Sequence, residues 1–349
     1  RTKSGVCGSE MAQLRINLRD LPFQYSEPPE EVGTFSRKKN GSQYSLDLSD
    51  GQNPKYYKEP PNRQNVNFDL NQGSEKLVLW KDDPKSHDLD HILKWIEKDQ
   101  RNNPSLLFDV DFVARRAHLN KVACTPYDDK GWKLAVTKFD ATWYISIGQQ
   151  QQNGNLLDED YKKNLYRGHK MEQYLTADKP GGEPIANTDA EVDLNEGFYT
   201  VVKSKLNAHS LLFSAEVDAR LQDDTKPPPT CYVEIKTNWG LRNQTDKSYF
   251  FGSSKLQKCW VQSYLVGVPK IVFGFHDKFV VSSTEPFRTE DIRSKAEHGN
   301  KWKPSVCMNF CDEFLSFVKE HATEDDASVV YLFQRKAHAK VVTYKELRG

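Results

Sequence analysis

The sequence is poor in the features that mark secreted, disulfide-rich or strongly charged proteins. Its 349 residues include six cysteines and three methionines, and 49 basic residues balance 49 acidic ones, so the formal net charge is zero. No two cysteines form a Cys-x-x-Cys pair, which argues against a disulfide framework and favours reduced thiols. Because the net charge is zero, a polyanionic partner must bind a local basic patch rather than respond to a global field.

Long apolar runs and common nucleotide-binding motifs are also missing. No run approaches the ~18 apolar residues of a membrane span, and no signal peptide precedes the first predicted element. The sequence contains no Gly-rich phosphate-binding loop, no dinucleotide-binding fingerprint and no Ser, His and Asp in the order of a catalytic triad. We therefore expect an intracellular protein, nuclear or cytoplasmic, that does not bind membranes.

The composition is that of a protein with a large apolar core. Hydrophobic residues make up 37% of the chain, with 7 Trp, 15 Tyr and 18 Phe, which argues against disorder for most of its length. The sequence shows no internal repeat and no linker. We predict an N-terminal arm over residues 1–30 and one large α+β domain over residues 31–349.

Hydrophobic periodicity predicts a mixture of helices and strands. Helices are expected over residues 87–100, 111–124, 158–176, 254–267 and 306–320. Strands or hairpins are expected over residues 131–148, 198–205, 211–220, 231–237, 269–275 and 328–345. Residues 31–75 are predicted to form loops and short strands, and residues 282–301 to form a polar loop.

Two predicted strands carry charges that a buried strand does not favour. They are residues 211–218 (LLFSAEVD) and residues 231–237 (CYVEIKT). Since strand side chains alternate between faces, Glu216 and Asp218 share one face, and Glu234 and Lys236 share another. Neighbouring strands in suitable register would bring three carboxylates and one ammonium together. Carboxylates brought together in this way repel one another, and a bound hard divalent cation relieves the repulsion.

The spacing Asp-x15-Glu-x-Lys, from Asp218 to Lys236, resembles the metal-dependent PD-(D/E)xK nucleases. The alternative is a solvated strand face with alternating charge. For a catalytic site, carboxylate ligands suit Mg²⁺ or Mn²⁺, and the lack of a Cys/His quartet argues against Zn²⁺. One or two such ions would activate a water and stabilise the leaving oxygen. Lys236 would neutralise charge on the phosphoryl oxygens or hold the attacking water.

Three further side chains are candidates for the same chemistry, each with a simpler alternative. Glu172 follows the apolar Met171 on a predicted helix, so it points toward the core and needs a partner, for which a metal is one candidate. Arg116 suits bidentate phosphate binding, although a surface arginine is the more common case. Gln262 would either bind a phosphate oxygen or cap the core.

Cys307 and Cys311 are four residues apart and would lie on one helix face. No second Cys/His pair lies nearby, so we predict that these two thiols pack in the core rather than bind a metal.

Several longer blocks support one family. They are residues 67–70 (NFDL), 89–92 (LDHI), 125–127 (TPY), 172–174 (EQY), 177–181 (ADKPG), 211–218, 229–237 and 302–317 (WKPSVCMNFCDEFLSF). With these blocks, the chain from about Pro29 to Phe317 resembles the decapping exoribonuclease family, and the last block is closer to animal than to fungal members.

The resemblance implies two mixed β-sheets flanked by helices around a PD-(D/E)xK-nuclease-like core. It implies an enzyme that removes incomplete or atypical caps, including NAD-type caps, releases pyrophosphate, and degrades RNA from 5′ to 3′. The cofactor would be Mg²⁺ or Mn²⁺, with one or two ions, and the partner would be the 5′ end of single-stranded RNA. We expect a monomer, and the exonuclease partner of fungal relatives is not implied.

The resemblance also implies roles for individual residues. The implied metal ligands are Glu172, Glu216, Asp218, Glu234 and the backbone carbonyl of Ile235. The implied catalytic residues are Asp218, Glu234 and Lys236. The implied substrate contacts are Arg115, Arg116, Ala117, Tyr199, Glu216, Lys236 and Gln262.

The chain departs from the family pattern around the substrate. Arg115-Arg116-Ala117 replaces a Trp-Arg-Gly sequence, and the residue after Gly168 is His169 rather than an aromatic one. Tyr199 falls where the family has a small cysteine. Ala117 and Tyr199 would narrow the space for a cap or nucleotide.

Two further departures concern single polar residues of the family. An arginine that meets the RNA 5′ end falls near Ser42, with the basic residues 37–39 nearby, and a pocket glutamate falls on His87.

These departures leave two hypotheses. The first is an active RNA 5′-end hydrolase with altered substrate choice. The second is a binding or regulatory protein that keeps the fold but has little turnover. Open space over Glu216 and Glu234 would favour the first, and a site plugged by Tyr199 or Arg115 would favour the second.

Overall fold

The computed structural model describes residues 12–23, 27–81, 88–148, 158–188, 190–223, 225–299 and 301–348. Within these ranges the chain forms nineteen β-strands and seven α-helices. The strands are β1 (Gln13–Arg15), β2 (Glu27–Asn40), β3 (Gln43–Asp47), β4 (Tyr56–Tyr57), β5 (Phe68–Asp69), β6 (Leu77–Val78), β7 (Phe112–Arg115), β8 (Trp132–Phe139), β9 (Thr142–Ile147), β10 (Thr176–Ala177), β11 (Val192–Asp193), β12 (Gly197–Leu206), β13 (His209–Glu216), β14 (Ala219–Arg220), β15 (Tyr232–Trp239), β16 (Lys270–Asp277), β17 (Val280–Arg288), β18 (Val329–Arg335) and β19 (Val341–Arg348). The helices are α1 (Asp90–Gln100), α2 (Arg116–Ala123), α3 (Glu159–Tyr174), α4 (Gln244–Phe251), α5 (Ser254–Val266), α6 (Thr289–Gly299) and α7 (Pro304–His321).

Two large mixed sheets dominate the architecture, as predicted. The ten-stranded sheet has the order β1-β19-β18-β8-β9-β7-β13-β12-β2-β3. The seven-stranded sheet has the order β10-β4-β14-β15-β16-β17-β5, and β11 with β6 forms a small third sheet. In the first large sheet, β7 runs parallel to both β13 and β9, and in the second, β15 runs parallel to β16.

The main core joins both large sheets to α2, α5 and α7. Trp260 of α5 and Phe314 of α7 are fully buried there, and Phe314 packs edge-on against Trp132 with ring centroids 5.6 Å apart.

Cys307 and Cys311 are also fully buried, which confirms that they pack in the core. The five cysteines in the described ranges are all free thiols. None of the described helices is both long and apolar enough to cross a bilayer.

Most long periodic segments form the predicted elements. The helices predicted over residues 158–176, 254–267 and 306–320 correspond to α3, α5 and α7. The predicted hairpin over residues 131–148 is β8 and β9, and its turn residues Asp140 and Ala141 have φ angles of 50° and 62°. The described part of the helix predicted over residues 87–100 forms α1.

The helix predicted over residues 111–124 is wrong in its first half. Phe112–Arg115 forms β7, and the helix begins only at Arg116. β7 lies between β13 and β9, where both of its edges form backbone hydrogen bonds. This pairing stabilises an extended conformation that the local sequence alone does not require.

Three other predictions were wrong in whole or in part. Residues 282–301 were expected to be loop, but β17 and α6 occupy most of that segment. Residues 31–75 contain the predicted loops and short strands β3, β4 and β5, but also most of a 14-residue strand, β2, because β12 and β3 pair with its two edges. Residues 211–220 form two strands in different sheets rather than one.

The described part of the predicted N-terminal arm lies against the domain. β1 pairs with β19 at the edge of the ten-stranded sheet, and Phe23 is buried in the main core. β2 begins at Glu27, within the segment that the sequence assigned to the arm.

Candidate active site

The predicted acidic cluster forms where the chain crosses from one large sheet to the other. β13 ends at Glu216 in the ten-stranded sheet, and β14 begins at Ala219 in the seven-stranded sheet. Ala219 pairs antiparallel with Val233 of β15, so Asp218 comes next to the segment that carries Glu234 and Lys236. The two predicted strands are therefore not neighbours along their length, and the crossing brings their charged ends together.

The Lys236 ammonium lies among three oxygen acceptors of this cluster. Its Nζ donates to the carbonyl oxygen of Ile235 at 3.0 Å and lies 3.4 Å from Oδ2 of Asp218. It also forms an ion pair with Oε1 of Glu234. The backbone N–H of Ile235 donates to Oδ2 of Asp218 at 2.7 Å, which fixes that carboxylate against β15.

Arg116 approaches the same acids from the start of α2. Its Nη1 lies 3.4 Å from Oε2 of Glu234, and the Arg116 and Glu234 side chains are only 11% and 2% exposed. Arg116 is therefore not the surface arginine that the sequence allowed. The burial of Glu234 also excludes the alternative of a solvated strand face.

Glu172 forms an ion pair with His169 on α3. Nδ1 of His169 lies 3.1 Å from Oε2 of Glu172. The Glu172 charge raises the pKa of His169 to about 9. Burial raises the pKa of Glu172, but the charge and hydrogen bond of His169 outweigh it, so the net shift is downward. This partner was not predicted from the sequence, although a spacing of three residues on a helix is the signal that reveals it.

The remaining acids carry more negative charge than their neighbours neutralise. Burial, together with the nearby Glu234, raises the pKa of Asp218 to about 8. Burial also raises the pKa of Glu216. Asp218 and Glu234 raise the pKa of Lys236 well above its usual range, against the effect of burial. The cluster is an environment in which additional positive charge is strongly stabilising.

The donor chemistry of this cluster fits a hard divalent cation. Four carboxylates and the Ile235 carbonyl supply only oxygen atoms, the ligands that hard cations prefer. Oε1 of Glu234 is buried, and apart from its ion pair with Lys236 it accepts no hydrogen bond from any described residue. As placed, the described His, Cys, Asp and Glu side chains form no group of three or more that could hold a metal ion. Cations already pair with these acids: His169 with Glu172, and Arg116 and Lys236 with Glu234.

Tyr199 forms a wall beside Glu216. The two residues are directly opposite each other on β12 and β13. The Tyr199 ring stacks on Phe35 with centroids 5.0 Å apart and an interplanar angle of 16°. The Tyr199 hydroxyl and Oε1 of Glu216 both lie over Gly197, at 3.1 Å and 3.2 Å from where a Cβ atom would stand. The space over Glu216 is therefore bounded by an aromatic side chain.

Asp88 forms an ion pair with Arg115 beside the acidic cluster. Oδ1 of Asp88 lies 3.3 Å from Nη1 of Arg115, and Oδ2 accepts from the Ile147 N–H at 2.7 Å. His118 also pairs with Asp88, at 3.0 Å. Burial raises the pKa of Asp88, but His118, Ile147 and Arg115 outweigh it and the net shift is downward. Asp88 was not predicted from the sequence, because its partners come from distant segments.

The structure places the other predicted substrate contacts on two helices, α2 and α5. Ala117 is exposed in the first turn of α2. Gln262 is half-buried on α5, one turn after Cys259, whose thiol is close enough to Lys236 to interact electrostatically. The guanidinium of Arg37 on β2 lies 5.8 Å from the ring centroid of Tyr44. His87 lies outside the described residues.

Comparison with known proteins gives consistent matches over most of the chain. A family model described as RAI1-like PD-(D/E)XK nuclease matches residues 27–349. The decapping and exoribonuclease protein of Homo sapiens is 38% identical over 360 residues, covering 95% of this chain and 88% of that protein. The protein of the same name from Xenopus laevis is 37% identical over 330 residues, covering 89% and 80%. The crystal structure of Candida albicans Rai1 in complex with pU5-Mn²⁺ has a TM-score of 0.82 at 22% identity, covering 97% of this chain and 94% of that chain.

Proposed function

The chain belongs to the RAI1-like PD-(D/E)XK nuclease family, and from this membership we infer that it is a decapping exoribonuclease, a hydrolase that acts on RNA 5′ ends. The family confirms the resemblance that the sequence blocks indicated. The observation that carries the inference from the structure is the crossing between the two sheets, which gathers Asp218, Glu234 and Lys236 with Arg116 in a largely buried cluster.

The residues of this cluster divide the chemistry between them. Glu172, Glu216, Asp218, Glu234 and the Ile235 carbonyl would hold divalent metal. A bound ion would supply Lewis-acid activation of water and of the phosphoryl group.

The basic side chains act on the phosphate itself. Arg116 would donate a bidentate pair of hydrogen bonds to a phosphate, as its planar guanidinium allows. Lys236 would neutralise the charge that develops on the phosphoryl oxygens or orient the attacking water.

We propose Mg²⁺ or Mn²⁺ as the natural ion, with one or two ions in the site. The oxygen-only donor set supports this choice, and the Candida albicans relative was crystallised with Mn²⁺ and pU5. We further propose that the protein acts inside the cell, in the nucleus or cytoplasm, as a monomer.

The substrates that we propose are RNAs with incomplete or atypical caps, including NAD-type caps, and RNAs with 5′-triphosphate or 5′-monophosphate ends. The direct test incubates the protein with Mn²⁺ and RNAs that bear each of these ends. We expect released caps or pyrophosphate, and mononucleotides from the monophosphate RNA. If no end is processed at any protein concentration while the human relative is active in parallel, the proposed function is wrong.

Tyr199 is proposed to set the choice among these substrates. Its ring occupies space beside Glu216, so a bulky dinucleotide cap should fit less well than a simple phosphate. Replacing Tyr199 with Cys should raise kcat/KM for capped RNA about tenfold relative to 5′-monophosphate RNA, since ~1.4 kcal/mol of steric cost is a factor of ten. Tyr199→Phe, which keeps the ring and its stacking on Phe35, is the matched control, and its ratio should stay that of wild type. An unchanged ratio in Tyr199→Cys would exclude this role.

The competing hypothesis of a protein with little turnover receives mixed support. Arg115 forms an ion pair with Asp88, and although burial raises the pKa of the nearby Glu216, the charge of Arg115 acts to lower it. Tyr199 does narrow the approach to Glu216. Loss of a measurable hydrolytic activity in Glu234→Ala or Asp218→Ala would exclude the low-turnover hypothesis.

A further inference from the structure

A groove lies at the end of β15, the strand that carries Glu234 and Lys236 of the active site. Its volume is about 800 Å³, and it is bounded by the residues after Asn238, by α4, by the start of α5 and by Lys301. Lys255 lines the groove, and its ammonium is close enough to interact electrostatically with both Lys236 and His276. β15 itself leads from Glu234 and Lys236 to Trp239 within six residues.

Two large aromatic side chains are exposed in this groove. Trp239 is 57% exposed and Tyr249 is 73% exposed. Trp239 rests against His276 and Phe279, with ring centroids 4.7 Å and 5.8 Å away. These contacts orient the indole while much of its surface remains open to solvent. Nζ of Lys301 lies 5.7 Å from the Tyr249 ring centroid.

The charges that line the groove are mainly basic. Lys255 and Lys301 are exposed, and neither forms an ion pair with another described residue. Arg242 pairs with Asp277 at 3.0 Å, and the carboxylate of Asp246 accepts from the Arg242 backbone N–H at 2.8 Å. The two unpaired ammonium groups therefore leave the groove with local positive charge on a chain whose net charge is zero.

We infer that this groove binds the nucleotides that follow the reacting 5′ end of a single-stranded RNA. Bases would stack on Trp239 and Tyr249, and the intervening phosphates would bind Lys255 and Lys301. A single strand matches this lining because it alternates planar bases with anionic phosphates, and every base can stack on an aromatic ring. The inference rests on the proposed function, since the 5′ end must lie at Lys236 for the strand to continue past Lys255.

The test measures RNA binding separately from hydrolysis. The probe is a 5′-phosphorylated oligouridylate of about ten nucleotides with a 3′ fluorophore, and EDTA prevents turnover while anisotropy reports the Kd. Trp239→Ala and Tyr249→Ala should each weaken binding about tenfold, the usual effect of losing one base-stacking contact. Tyr161→Ala is the matched control, because Tyr161 is 49% exposed on α3 and does not line the groove, and its Kd should stay within about twofold of wild type.

A short ligand shows whether the loss of RNA affinity arises in the groove or at the active site. A 5′-phosphorylated diuridylate should compete for wild type, Trp239→Ala and Tyr249→Ala with the same affinity, because it is too short to extend along the groove. A 4-thiouridine near the fourth position of the long RNA should crosslink to the peptide that contains Trp239 or Tyr249.

Two results would overturn the inference. The first is that Trp239→Ala, Tyr249→Ala and Lys301→Ala all bind the long RNA with wild-type affinity, while circular dichroism shows that the three variants are folded. A protein partner would then be the better occupant of the groove. The other is an equal loss of affinity for the diuridylate. The proposed function is tested separately, and it is wrong if the wild-type protein hydrolyses no RNA end. In that case the binding measured in EDTA still tests whether the groove binds RNA.

Discussion

Asp218 and Glu234 are neighbouring carboxylates whose surroundings differ. Glu234 is paired with both Arg116 and Lys236, whereas burial and the charge of Glu234 raise the pKa of Asp218 to about 8. Because its pKa is raised in the folded state, ionised Asp218 destabilises the metal-free protein, and this penalty grows as the pH rises from its ordinary pKa toward 8. The charge of Glu234 instead neutralises the partly buried cations of Arg116 and Lys236.

We therefore predict opposite effects on stability for two substitutions that both abolish hydrolysis. Asp218→Asn should leave the metal-free free energy of unfolding unchanged or raise it, with a larger gain at pH 8 than at pH 6. Glu234→Gln should lower it by about 3 kcal/mol, because Arg116 and Lys236 lose their shared charge partner. Urea unfolding in EDTA measures both. A larger destabilisation by Asp218→Asn than by Glu234→Gln would contradict this assignment of charges.

Residue types and spacing predicted much of the site at this scale. The Asp-x15-Glu-x-Lys spacing pointed to Asp218, Glu234 and Lys236, although the spacing alone left a solvated strand face as the alternative. The sequence did not reveal that Asp88 holds Arg115, because the Asp88 partners lie 27 to 59 residues away along the chain. Contacts over such separations depend on the fold and leave no local pattern.

At the scale of elements, two glycines differ in the space that surrounds them. On β2, a Cβ atom at Gly33 would lie 2.3 Å from the buried ring of Trp95, which belongs to α1. On α3, a Cβ atom at Gly168 would meet nothing within 4 Å. One glycine thus permits close packing of a helix on a strand, and the other lies in a helix interior with open space beside it.

We predict that alanine has opposite effects at these two positions. Gly33→Ala should lower the free energy of unfolding by about 2 kcal/mol, because the packed Trp95 ring must move. Gly168→Ala should raise it by about 0.5–1 kcal/mol, the usual advantage of alanine over glycine within a helix. Thermal or urea unfolding of both variants is the measurement. A stable Gly33→Ala variant would show that α1 can move away from β2 at little cost.

At the scale of the whole molecule, a chain of zero net charge binds a polyanion through a few local cations. Arg116 at the cluster, with Lys255 and Lys301 in the groove, gives about three phosphate contacts. For a single strand each contact contributes about 0.7 to the slope of log Kd against log salt, so we predict a slope of about 2. Lys301→Ala should reduce the slope by about 0.7, measured by anisotropy between 50 and 200 mM salt. A slope near zero would mean that phosphates contribute little to binding.

The sequence by itself indicated the family through the resemblance of its longer blocks. It also predicted the α+β class, most of the long helices, and the acidic residues with Lys236 as candidates for the site. These predictions depend on residue type, short spacing and periodicity, all of which are local properties of the chain. Only the tertiary structure decided that β7 is a strand, because its two neighbours supply hydrogen bonds that the local sequence does not specify. It likewise decided how Asp218 and Glu234 come together, because the chain changes sheets between Glu216 and Ala219. The groove at Trp239 and Tyr249 is also tertiary, since it forms where the end of β15 meets α4 and Lys301.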